Sequence, residues 1–145
     1  MPELAPAQGF KAADTCGSRP AAGEVHLWRI PCTGPKPDPE LLSPDEQERH
    51  QSFHREEDRD RFLYAHAGLR RILGDYHGVS EVVLSSGPWG KPALVGETLE
   101  FNLSHSGDYA VLAVAEGTPV GVDLEFHRNP QELRELIARV FTPDE

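Results

Sequence analysis

The chain is poor in basic residues. Its 145 residues include 14 Lys and Arg against 24 Asp and Glu, a formal net charge of −10. That balance excludes a general nucleic-acid binder, because neutralising a phosphate backbone takes Lys and Arg in number. Cysteine is scarce too. Cys16 and Cys32 are the only two, and they match no metal-site or redox spacing. No apolar run is long enough to span a bilayer, and no signal-peptide pattern is present, so a membrane partner is not expected. A reduced, cytoplasmic protein is the simplest reading. Apolar residues make up 38% of the chain, and the shortfall is uneven. It is concentrated in residues 1–24 and in TGPKPDPE at 33–40, which are rich in Pro, Ala and Gly and lack apolar periodicity. Residues 1–24 read as a flexible arm and 33–40 as an ordered loop. The remainder suffices for one modest domain with a single core.

Positive charge, though scarce, is clustered. Arg55, Arg59, Arg61, Arg70 and Arg71 crowd one segment, with Lys91 further on. A local basic site for a small polyphosphate is compatible with an acidic whole. A solvated helix face paired to Glu57 and Asp60 explains the same arginines equally well.

VHLWRI (25–30) reads as a short strand. In the following LLSPDEQERHQSF, Ser43 is a good N-cap, Pro44 suits the first helical position, and Glu46 can close a capping box. A helix over about 44–54 follows. The strongest helix signal is EEDRDRFLYAHAGLRRILGDYHG, where Phe62, Ala65, Leu69, Ile72 and Leu73 fall on one stripe. Gly74 or Gly78 ends it. Strand patterns then take over at 82–86, 99–104, 109–115 and 120–126. Gly107 and Gly117 mark short loops, so the last three strands are predicted to be antiparallel neighbours. Asn129-Pro130 opens a helix over about 130–140. Thr142-Pro143-Asp144-Glu145 repeats the helix-start chemistry of Ser43-Pro44-Asp45-Glu46.

Three short motifs carry chemistry. VGVDLEF alternates strictly, so Gly121, Asp123 and Glu125 share one face. Two acids so placed repel unless water or a cation separates them, and Mg²⁺ with its retained waters suits them. A wet acidic face gives the same pattern. SHSGD (104–108) combines hydroxyls, an imidazole and a Gly turn. It fits a phosphate-binding corner and also ordinary turn chemistry; no Gly-x-Ser-x-Gly elbow supports a serine hydrolase. Gly90-Lys91-Pro92 is a turn that carries a cation, and is not a Walker loop.

Taken in order, Gly90-Lys91-Pro92, then Phe101-Asn102-Leu103-Ser104-His105-Ser106, then Gly121-Val122-Asp123-Leu124-Glu125 resembles the signature series of the 4′-phosphopantetheinyl transferases. The resemblance is closest to the larger, two-lobed (Sfp-like) type and covers about residues 25–145. It implies an α+β fold in which helices pack an antiparallel sheet, forming the first lobe of a pseudo-two-fold molecule. Residues 25–118 would be that lobe, and 119–145 the start of a second, metal-binding lobe. The implied reaction moves the phosphopantetheine arm from coenzyme A to a serine of an acyl or peptidyl carrier protein. Asp123 and Glu125 are implied as the catalytic acids and Mg²⁺ ligands. Arg61, Gly90, Lys91, Pro92, Ser104, His105 and Ser106 are implied in holding coenzyme A, with Arg49 a fainter candidate. The family's downstream Trp-x-x-Lys-Glu block has no match here, since neither Trp28 nor Trp89 is followed by Lys-Glu. The expectation is therefore an N-terminal portion, able to associate through its unpaired last strand. A non-catalytic coenzyme A-binding module and a half-site completed by another chain are the alternatives.

Overall fold

A computed structural model describes residues 18–86 and 90–126. Most of the N-terminal arm, Pro88 and Trp89, the helix expected at about 130–140, and the 142–145 repeat lie outside the described residues. The described chain is α+β. Its element order is β1 (Val25–Pro31), α1 (Pro44–Ser52), α2 (Glu56–His77), β2 (Leu84–Ser86), β3 (Pro92–Leu94), β4 (Leu99–Ser106) and β5 (Tyr109–Glu116), with a 3₁₀ turn at Pro39–Leu41 after the proline-rich loop begins.

α2 forms where the apolar stripe predicts it. Glu56, Glu57 and Asp58 occupy its first turn, where acids oppose the positive end of the helix dipole. It ends at Gly78, which adopts the left-handed conformation (φ 65°) that favours glycine. Gly74 stays inside the helix. A Cβ there would meet the Val79 carbonyl oxygen at 2.6 Å, so the packing of the helix end needs its missing side chain. α1 starts with the complete capping box: the Glu46 N–H donates to Ser43 Oγ at 3.3 Å, and the Ser43 N–H to Glu46 Oε2 at 2.9 Å. α1 itself buries no residue. Its flanks anchor it instead, with Leu42 and Phe53 packing on Phe62 and Leu63 of α2.

The main sheet has the order β1-β5-β4, both pairs antiparallel. β5 is central, and its Leu112 and Val114 pack with Leu69 and Leu73 of α2 in the main core. Each fully buried aliphatic side chain there contributes about 1.5–3 kcal/mol. β1 is tied to α2 by polar contacts as well. Trp28 Nε1 donates to Tyr76 Oη at 2.8 Å, and His26 Nδ1 shares a hydrogen with the same oxygen at 2.6 Å. β2 and β3 form a separate two-stranded pair.

Two strand expectations change. β4 runs on through Ser104, His105 and Ser106 to the tight Gly107-Asp108 turn, so these residues lie on a strand rather than at its corner. Residues 120–126 form no ladder with β5. Both edges of β5 are taken, by β1 and β4, and the segment runs alongside β4 instead.

Candidate functional site

A cavity of about 370 Å³ opens between the two helices and the edge of the sheet. Gly90, Lys91 and Pro92 line it from the turn leading into β3, and His105 from β4. Arg49 of α1 and Asp58, Phe62 and His66 of α2 complete the helical side. A larger cavity of about 500 Å³ lies on another flank of α2, against β1 and the proline-rich loop; Arg70 and Arg71 line it, but none of the residues implied in holding coenzyme A or a metal does.

Arg61 does not line the first cavity but bonds Asp58, which does. Its Nη1 donates to Asp58 Oδ1 one turn earlier, at 3.2 Å, and its side chain is about one-third exposed. The arginine-rich segment is therefore not a row of i,i+4 pairs. Arg59 caps the Phe53 carbonyl oxygen at 2.9 Å, and Arg70 binds Glu46 at 2.6 Å and the Val82 carbonyl oxygen at 2.9 Å. These are bonds that join elements.

His105 is exposed as a residue, yet its ring sits among packed atoms of the cavity wall. That desolvation, and then the positive charges of His66, Arg61 and Arg49, hold its imidazole below the usual histidine range; Asp58 opposes them. An anion bound beside this imidazole would raise its basicity again.

The strand alternation of β4 separates Ser104 and Ser106 from His105. Both hydroxyls face the 120–126 segment. Ser104 Oγ accepts the Leu124 N–H at 3.0 Å and donates to Asp123 Oδ1 at 3.1 Å. Ser106 Oγ accepts the Phe126 N–H at 3.0 Å. Asp123 and Glu125 are exposed, while the alternate residues Val122 and Leu124 are half-buried. Asp123 thus reaches one face of β4 through Ser104, and the imidazole of His105 occupies the other. Lys91 belongs to both sides: it lines the cavity, and its Nζ donates to the Val120 carbonyl oxygen at 3.0 Å. Nothing lies within 4 Å of a Cβ built on Gly121, so packing among the described residues does not demand that glycine. Among the described residues no group of three or more His, Cys, Asp or Glu is clustered to hold a metal ion.

Over residues 38–117, more than half of its length, the chain matches the model of the family described as 4′-phosphopantetheinyl transferase, N-terminal. The chain belongs to the 4′-phosphopantetheinyl transferase family. It is 40% identical over 132 residues to the 4′-phosphopantetheinyl transferase HetI of Nostoc sp., covering 84% of this chain and 56% of that one. It is 32% identical to a putative 4′-phosphopantetheinyl transferase of Synechocystis sp., over 72% of this chain and 45% of the relative. The 4′-phosphopantetheinyl transferase of Bacillus subtilis is 30% identical, over 72% and 46%. The chain spans about half the length of these relatives. No helix among the described residues is long and apolar enough to cross a membrane.

Sequence reasoning missed the pair behind the cavity wall in this family member. His66 Nδ1 is 3.0 Å from Glu46 Oε1, and the His66 ring stacks on Phe62 with centroids 4.0 Å apart. The signal was present: Asp58 and His66 flank Phe62 of the apolar stripe at four-residue spacing on α2, at the edge of that stripe. Glu46 is reached from three sides. Burial would raise its carboxyl, but hydrogen bonds from His66, Arg70 and the Ser43 N–H, with the Arg70 charge, bring it down to about 2.

Proposed function

We propose that this chain provides the coenzyme A-phosphate side of a 4′-phosphopantetheinyl transferase, together with two carboxylates for Mg²⁺. In the reaction, a carrier-protein serine oxygen attacks the phosphorus bearing the pantetheine arm. The diphosphate P–O bond breaks, adenosine 3′,5′-bisphosphate leaves, and the serine hydroxyl proton is released. The acceptor hydroxyl belongs to the carrier protein, so no nucleophile is required of this chain.

The observation that carries the reading is the double attachment of Lys91. It faces the cavity with His105 and holds the head of the segment bearing Asp123 and Glu125. β4 is the outer strand of its sheet, so a ligand crossing its edge reaches both faces. Lys91, His105 and Arg61, with Arg49 and His66, then meet the phosphates, and the Gly90 and Pro92 backbone shapes the wall. The donor set suits Mg²⁺: two hard carboxylates, two residues apart, on an exposed stretch that leaves room for waters and phosphate oxygens. When bound, the ion would offset the charge that develops on the diphosphate leaving group. Such a protein works where coenzyme A and carrier proteins are, which places it in the cytoplasm.

Calorimetric titration with coenzyme A, and separately with pantetheine, tests the phosphate side. Coenzyme A should bind and pantetheine should not, and Lys91→Ala should weaken binding about tenfold or more, the loss of a charge-assisted hydrogen bond. Equal binding of both ligands, or no effect of Lys91→Ala, would remove the phosphate site. Coenzyme A binding with no transfer to any apo carrier protein would favour a binding module.

A further inference from the structure

Residues 122–126 are held to β4 by an unusual means. Three alternate backbone N–H groups donate to three alternate side chains. Val122 N–H binds Asn102 Oδ1 at 2.8 Å, Leu124 N–H binds Ser104 Oγ at 3.0 Å, and Phe126 N–H binds Ser106 Oγ at 3.0 Å. Every pair is separated by 20 residues, so the segment runs in the same direction as β4 without slipping in register. Side chains on one face of a strand repeat every two residues, at about 6.6–6.8 Å. Alternate N–H groups of an extended chain repeat at that same distance. A row of short acceptors on a strand face can therefore stand in for the carbonyl row of a neighbouring strand.

Both ends of this track are closed. Lys91 Nζ holds the Val120 carbonyl oxygen at 3.0 Å. At the other end Phe126 lies over Gly107, where a Cβ would come within 3.1 Å of its ring. Ser104 occupies the middle, and its hydroxyl is used twice: it accepts from the backbone at Leu124 and donates its one proton to Asp123. A hydroxyl spent in both directions has no proton left for a phosphate oxygen.

We infer that Asn102, Ser104 and Ser106 are positioning residues: they hold residues 122–126 extended against β4, so that Asp123 and Glu125 stand on one face, and Ser104 sets the Asp123 carboxylate directly. The consequence for a cation rests on the function proposed above; the track itself does not.

The test pairs two measurements on the full chain: amide hydrogen exchange at Val122, Leu124 and Phe126, and Mn²⁺ affinity by electron paramagnetic resonance. In the unaltered protein the three amides should be protected. Ser104→Ala should speed Leu124 exchange about three- to tenfold, the loss of one hydrogen bond, and weaken Mn²⁺ binding by a similar factor. Ser104→Thr keeps the hydroxyl and should restore both. Unprotected amides in the parent chain would overturn the track, as would unchanged Leu124 exchange in Ser104→Ala. If Ser104→Ala weakened metal-free coenzyme A binding and left Leu124 exchange alone, Ser104 would be a phosphate contact and the inference would fail. Protected amides that respond to Ser104→Ala, in a chain that binds no Mn²⁺, would support the track and refute the cation reading.

Discussion

Glu46→Gln tests how the cavity's helical wall is held. The Glu46 side chain is 15% exposed and accepts from Arg70 Nε at 2.6 Å, His66 Nδ1 at 3.0 Å and the Ser43 N–H at 2.9 Å. Its carboxyl falls from 4.5 to about 2 in the folded protein, and at 1.36 kcal/mol per pH unit that drop corresponds to about 3 kcal/mol of folding stability. Because the folded value is the depressed one, the contribution is fully present above about pH 4.5 and is lost as pH falls towards 2. Gln keeps the shape and one acceptor but never ionises. Urea unfolding at neutral pH should therefore show the variant less stable by about 2–3 kcal/mol. The gap should shrink to roughly half or less by about pH 3. Equal stability at neutral pH, or a gap that acid leaves unchanged, would refute the reasoning. The variant also removes the partner that orients His66 on the cavity wall.

Two further predictions concern the site and the core. A phosphate at His105 should raise the depressed pKa of its imidazole, so binding takes up a proton and coenzyme A affinity should rise as pH falls through the histidine range. Calorimetry in buffers of differing ionisation heat should show that uptake in the histidine range, lost in His105→Gln; its persistence in the variant would move the effect to another group. Gly68→Ala would bring a Cβ to 2.6 Å from Ile30 Cγ2, and overpacking of this kind should cost about 1–3 kcal/mol in urea unfolding, with no loss if Ile30 can turn aside freely.

The legible parts of the fold were those written in local chemistry. The period of Phe62, Leu69 and Leu73 located α2, and Ser43 with Glu46 announced the α1 cap. The alternation of 99–104 and 109–115 gave the β4–β5 hairpin. What failed to show was decided by neighbours far along the chain. VGVDLEF reads as a ladder strand, but β1 and β4 occupy both edges of β5, and the segment lies instead against the polar side chains of β4. Asn102, Ser104 and Ser106 therefore looked like a strand end and a corner, when they are the acceptors for another segment's backbone. Pro92–Leu94 gave no strand signal because three residues following a turn carry no period. The basic cluster was visible as composition, but which arginines face the cavity depends on partners such as Glu46 and the Val82 carbonyl.

The central claim is that the acids on one face of β4 and the cations on the other serve a single ligand. Phosphorus relaxation of coenzyme A, measured with the protein and Mn²⁺, tests it most directly. The diphosphate signals should relax strongly, and the effect should disappear in an Asp123→Ala, Glu125→Ala double variant that still binds coenzyme A. Equal relaxation in the parent chain and the double variant would contradict the account, because the metal would then sit on the ligand without these acids.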